Sequence, residues 1–312
     1  MKHIYTILLM IIALLTSCEE SDKYTVVVDT DDLICYVEYT TERKIKYIHF
    51  FDDAFDANIT AHKWHDGIGR IYFDKPITTI DSFFLSSDQS LLESVIIPNS
   101  VTTIESSAFS DCSSLTSVNL GNSVKSIGNY AFDGCSSLTS INIPDSVTSI
   151  GYNAFRDCSS LKSVTIGNSV TSIGSSAFSD CSSLTSVNLG NSVMTIGYNA
   201  FYNCDSLTSI DIPDSVTSIG SSAFSDCSSL KSVTIGNGVT SIENGAFESC
   251  YNLASVYCKA TTPPSLGYSS YFTFYENASG RKIYVPRNSV DAYKSAAGWK
   301  DYAAYIVGYD FE

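Results

Sequence analysis

From residue 112 to residue 250 the apolar side chains keep one fixed pattern, and that pattern recurs every 23 residues. Counted from Cys112, the apolar positions are Leu115, Val118, Leu120, Val124, Ile127, Ala131 and Phe132. The unit that starts at Cys135 fills the same columns with Leu138, Ile141, Ile143, Val147, Ile150, Ala154 and Phe155. A period of roughly 20 to 50 residues marks a solenoid, in which one small unit stacks on copies of itself. The alternation through Leu115–Leu120 predicts a strand with Val118 and Leu120 facing inward and the residues between them facing out. A turn follows, Gly-Asn-Ser at 121–123 or Pro-Asp-Ser at 144–146, built from residues that favour turns for backbone reasons. A second short extended piece, V-x-x-I, then leads to G-x-x-A-F-x-x-C, where one turn of helix is expected to return the chain. Stacked at about 4.8 Å, the units would align Phe109, Phe132, Phe155, Phe178, Phe201, Phe224 and Phe247 into one continuous aromatic row.

A longer period lies over the short one. Strand endings run N-L-G, N-I-P, T-I-G at 119–121, 142–144 and 165–167, then N-L-G, D-I-P, T-I-G at 188–190, 211–213 and 234–236. Residues 112–180 and 181–249 therefore read as a duplicated block of three units. The edges are degenerate, as the ends of an array must be. Gln89 replaces the cysteine of the unit at 92–98, and Ile71–Ile80 reads as an earlier copy offset by one residue. Beyond Cys250, Val256-Tyr257-Cys258 keeps the strand, a loop from Thr261 to Lys282 interrupts, and Ile283–Pro286 resumes. Residues 288–306 read as a terminal helix broken near Gly298, with Val290, Tyr293, Trp299, Tyr302 and Ile306 available to close the last edge. Residues 33–66 predict a small β-rich cap, with strands over 33–40 and 44–51.

The unit S-L-T-S-V-x-I-P-x-S-V-T-S-I-G-x-x-A-F-x-x-C resembles the BspA-like leucine-rich repeats of bacterial surface proteins. The likeness covers roughly residues 68–260, and the flanks at 71–80 and 282–299 look like that family's flanks. The fold class expected is an α/β solenoid, mostly β, a leucine-rich repeat array of 23-residue units with degenerate capping units. The expected division is a leader over 1–17, a tether over 18–32, a β-rich cap over 33–66, the solenoid over 67–281, and a capping strand and helix over 282–312. The resemblance implies a lipid-anchored or secreted surface protein that binds or adheres to an extracellular protein, such as a host matrix protein. Glycan capture as an accessory of an outer-surface uptake system is the second expectation. The family motif is architectural, so it carries over no catalytic residue, cofactor or metal ligand.

The N-terminus fits export. Lys2 is followed by an apolar stretch, Ile4–Leu15, which is too short for the roughly 20 residues that cross a bilayer. Leu15-Thr16-Ser17-Cys18 resembles a bacterial lipobox, which makes Cys18 the expected lipidation site. The acids Glu19, Glu20 and Asp22 resemble the signal that sends such lipoproteins to the outer face of the outer membrane. With 18 basic and 33 acidic residues the chain carries −15, which argues against nucleic acid and against any membrane contact beyond the anchor.

Four features invite chemistry. The cysteine column Cys112, Cys135, Cys158, Cys181, Cys204, Cys227 and Cys250 admits buried free thiols, some disulfides, or a metal site; buried thiols suit it best, because seven in a line cannot all pair. His62-Lys63-Trp64-His65-Asp66 lacks the helical H-E-x-x-H frame of a zinc site, and a solvated or edge-packing role is expected. Asp111, Asp157, Asp180 and Asp226 share a column beside the cysteines, where local capping is expected rather than catalysis. No nucleophile elbow, phosphate loop or dinucleotide fingerprint occurs, so an enzyme is not expected. The candidate ligand-binding face is the outward strand columns: Ser117, Asn119, Ser140, Asn142, Ser163, Thr165, Ser186, Asn188, Ser209, Asp211, Ser232 and Thr234. These side chains form either a merely solubilising surface or a polar face that holds a long partner through many weak contacts.

Overall fold

Each 23-residue unit makes one turn of a coil with two extended sides. The longer side is a strand of three or four residues, as at Ser117–Asn119, Ser140–Ile143 and Ser163–Ile166; the shorter is a two-residue strand, as at Ser126–Ile127 and Ser149–Ile150. Successive units pair in parallel and in strict register, Ser163 opposite Ser140 and Ser186, and Ile150 opposite Ile127 and Ile173. The two-residue strands form one unbroken sheet of nine. This computed structural model describes residues 36–41, 55–65, 68–81 and 89–311, all within the compact unit Ile34–Glu312. The expected leader, Cys18, the tether to residue 32 and the strand expected over 44–51 lie outside the described residues.

The inward columns are buried without exception from Leu138 to Ile235 apart from Val187, and the aromatic row forms as the spacing predicts. Phe109 to Phe247 stack with ring centroids 5.1–5.3 Å apart and planes within 1–7° of parallel. Such offset stacks add to the burial of each ring. The row gains an eighth member, Phe274, 5.6 Å from Phe247. The segment 261–282 is thus an elongated unit and not an interruption: Ser265–Leu266 joins the nine-stranded sheet, and Asn277 Nδ2 donates to the Phe247 carbonyl at 2.7 Å. In the regular units a cysteine makes that bond.

The return segment is not a turn of helix. Two residues per unit take left-handed backbone, Tyr130 (φ 58°) and Gly134 (φ 72°) in one unit, Asn153 (φ 55°) and Asp157 (φ 58°) in the next. Left-handed residues cannot propagate a right-handed helix. The N–H groups instead alternate between their own unit, as Asp133 N to Tyr130 O at 3.1 Å, and the next one, as Phe132 N to Ala154 O at 2.7 Å. Close stacking shows also at Gly174, where a Cβ would lie 2.5 Å from the backbone of Gly151.

The ends depart from the repeat. Ile68–Phe73 does not stack as an earlier copy: Tyr36–Thr41 runs antiparallel between it and Leu92–Ile96, and Ile59–His65 pairs on its far side. Only Thr79–Ile80 of that segment keeps repeat pairing, with Thr103–Ile104. Asp56 accepts the Thr78 N–H at 2.8 Å and fixes this edge. At the other end Lys282–Pro286 stacks on Ser255–Cys258, followed by a helix at Val290–Ser295 and a 3-10 helix at Trp299–Tyr305, with Gly298 at φ 78° between them. Buried Tyr293 and Trp299 plug the open core, donating to Ala260 O at 2.8 Å and Pro264 O at 2.7 Å. A final strand, Ile306–Tyr309, pairs in parallel with Lys282–Pro286; the helix expected over 288–306 ends at its first residue, and the sequence pattern assigns residues 307–309 no element.

Candidate functional site

The longer strands present the outward columns as rows aligned from unit to unit. Of the twelve candidate residues, the ten from Ser117 to Asp211 are exposed, while Ser232 and Thr234 are half-buried. The hydroxyls of Ser117, Ser140, Ser163, Ser186 and Ser209 and the side chains of Asn142, Thr165 and Asp211 make no hydrogen bond among the described residues. They are held in rows by backbone register alone. Asn119 and Asn188 are partly spoken for, since each Oδ1 accepts a local N–H, from Gly121 and Gly190, at 3.1 Å.

Those two asparagines mark seams that the sequence did not foretell. The sheet on this side is divided into three pieces, broken between Ser117–Asn119 and Ser140–Ile143 and again between Ser186–Asn188 and Ser209–Ile212. Both breaks follow an N-L-G unit. The asparagine side chain and the left-handed glycine (Gly121 φ 66°, Gly190 φ 67°) curl the strand end into a turn, so the fourth residue leaves the ladder. Thr139 N to Thr116 O is 3.4 Å across the first seam, against 2.9 Å for Lys162 N to Thr139 O in the next unit. Val118 and Val187, beside the seams, are only partly buried.

Past each seam a cleft opens where strand ends meet the turns that follow. The first, about 460 Å³, is lined by Asn122, Asn142, Pro144, Asp145, Thr165 and Asn188 among others. The second, about 870 Å³, has the matching residues Asn191, Asp211, Pro213, Asp214, Thr234 and Tyr257, with Lys259, Tyr309 and Phe311 in addition. Tyr257 stacks on Tyr284 at 4.7 Å, and Tyr309 packs across both rings at 5.6 Å. Arg287 grips Asp310 through Nε–Oδ1 at 2.9 Å and Nη2–Oδ2 at 2.7 Å, which fixes the tail and holds the Asp310 carboxyl below its ordinary range. Asp214, like Asp145, uses Oδ1 to accept the N–H of the next turn, from Asn237 at 2.9 Å and Asn168 at 2.6 Å.

The other candidates resolve structurally. The eight described cysteines, which include Cys258, are free and buried. From Cys135 to Cys250 each Sγ donates to the carbonyl of the phenylalanine 26 residues earlier, at 3.1–3.3 Å. Burial pushes the Cys112 thiol up to about 12 and the Cys258 thiol up to about 11, and raises Cys135, Cys181, Cys204 and Cys250 well above the usual thiol range. The acidic column is a backbone column: Asp111, Asp157, Asp180 and Asp226, with Gly134 and Asn203, all sit at φ 57–72°. Asp, Asn and Gly enter that conformation more readily than other residues, which suits the two substitutes to the row, and Ser249 continues the column at φ 56°. His62 and His65 lie on the strand Ile59–His65, and among the described residues no group of three or more metal-binding side chains is gathered. No described helix is long and apolar enough to cross a membrane.

The comparisons agree with this architecture. A leucine rich cell surface protein from Faecalibacterium prausnitzii A2-165 is 34% identical, with 73% of this chain and 68% of that one covered at a TM-score of 0.51. A leucine-rich repeat protein from Bacteroides ovatus ATCC 8483 is 26% identical, with 80% and 70% covered at a TM-score of 0.52. No curated protein matches. The family described as BspA type leucine rich repeat region matches in six copies across residues 78–207 and 194–297. With its strict 23-residue register, its phenylalanine row and its cysteine-to-carbonyl bonds, this chain belongs to the BspA-type leucine-rich repeat family.

Proposed function

We propose that the chain is a lipid-anchored cell-surface recognition protein that holds an extracellular protein partner on its outward strand face. One observation carries the reading. The face offers rows of exposed hydroxyls, the Asn142 amide and the Asp211 carboxylate, whose side chains make no hydrogen bond among the described residues and whose spacing is set by the ladder. A rigid polar ribbon pays little ordering entropy when it meets an extended partner. The relative from Faecalibacterium prausnitzii is named as a cell surface protein, which agrees with the export signal and lipobox-like Cys18 at this N-terminus.

Two experiments test the two parts. Screening the mature chain against immobilised matrix and cell-surface proteins should find a partner whose affinity falls about tenfold or more when Thr165→Trp drives a wedge into the face. Tyr152→Ala, on the return side, should leave it unchanged; equal loss from both would refute the strand face. For the anchor, a fatty-acid analogue fed to cells should label the wild type and not Cys18→Ala. Unlabelled wild type would refute lipidation.

A further inference from the structure

The two clefts are the same place in the two copies of the duplicated block, which gives an internal comparison. Where the first has Asn142 and Asn188, the second has Asp211 and Tyr257. Only the second is bordered by the tail, with Tyr309, Phe311 and Lys259 among its lining residues. Strand pairing of Tyr309 with Pro286 positions the tail here, and the exposed Arg287–Asp310 pair lies between its two rings in sequence. The side chains of Asp211 and Lys259 make no hydrogen bond or ion pair among the described residues, although both residues line this cleft.

We infer that the second cleft is a subsite for a neutral oligosaccharide. A pyranose ring has an apolar face of C–H groups and a rim of hydroxyls. Tyr309 and Tyr257 supply ring surface for the face, as amphipathic aromatics do at recognition sites. The Asp211 carboxylate accepts from hydroxyls, and Lys259 and the Asn191 amide donate to them. The charge argument selects a neutral ligand. A cationic peptide entering the cleft meets Lys259, an anionic one meets Asp211 and Asp214, and a polyhydroxyl compound satisfies both signs. The volume, about 870 Å³, falls within the roughly 300–1,000 Å³ of small-molecule sites. The inference does not depend on a protein partner at the strand face, and the two fail separately.

The test uses the full mature chain on an array of neutral and charged plant, microbial and host glycans, followed by isothermal titration with the strongest neutral oligosaccharide. Asp211→Ala and Tyr309→Ala should each weaken that binding about tenfold or more, while Asn142→Ala, its counterpart in the first cleft, should change it less than about twofold. Asp211 is exposed and unbonded, so its variant should melt at the wild-type midpoint and separate lost contact from lost fold. Three results would overturn the inference: no neutral glycan bound by a chain that still binds its protein partner, full affinity retained by both variants, or a charged glycan or basic peptide held more tightly than any neutral oligosaccharide.

Discussion

A single phenylalanine is the smallest part of this molecule with a consequence that can be weighed. Phe178 is fully buried between Phe155 and Phe201, and Phe178→Ala should cost about 3–5 kcal/mol through the cavity it leaves, read as a shift in denaturation midpoint. An unchanged midpoint would mean the row contributes nothing. The thiols give a pH signature. Burial raises Cys112 to about 12, Cys258 to about 11, and Cys135, Cys181, Cys204 and Cys250 well above the ordinary thiol value of 9.0, so above that pH the unfolded chain loses protons that the native chain keeps. Stability from this source is whole below pH 9.0 and falls as pH climbs towards about 12, and the thiols should resist alkylation until the chain unfolds. Both residue columns were legible in the sequence as buried. What each sulfur bonds to was not, because the acceptor is a main-chain carbonyl 26 residues back that no side-chain pattern records. The aspartates show the converse case. Capping chemistry suggested itself from residue type, whereas the cause is a left-handed backbone. Asp226→Gly should therefore be nearly neutral, while Asp226→Val should cost about 1–2 kcal/mol in chemical denaturation.

Among the elements, the strands were readable and their seams were not. L-x-x-V-x-L announced a strand in every unit, yet the ladder breaks only after N-L-G, where a left-handed glycine follows the strand, and not after N-I-P, D-I-P or T-I-G. That difference is small in hydrophobicity and large in backbone geometry. Hydrogen exchange should expose it: peptides spanning 116–119 and 185–188 should exchange faster than 162–166, which pairs on both sides. Uniform protection along the ribbon would contradict the seams. The terminal strand Ile306–Tyr309 escaped detection because four residues, with glycine among them, are too short a run to declare a strand period. The second cleft escaped with it, since its tail wall is brought to the face only by that strand.

Across the whole molecule, stability is a sum over neighbours rather than the property of one core. Deleting residues 181–249 joins Asp180 to Cys250 in unbroken register and leaves both ends in place. The shortened chain should fold with a lower denaturant m-value, in proportion to the surface it no longer buries, and a molten product would refute that additivity. Affinity for a partner on the strand face should decline by degrees, while the second cleft should re-form with Asn142 in the place of Asp211. The same interchangeability reaches the gene. Each unit asks of its neighbours what they ask of it, so recombination between tracts of 23 codons preserves reading frame and hydrogen-bond register together. Such a gene can lengthen or shorten by whole turns, and the length of the solenoid becomes a trait that inheritance can adjust in steps.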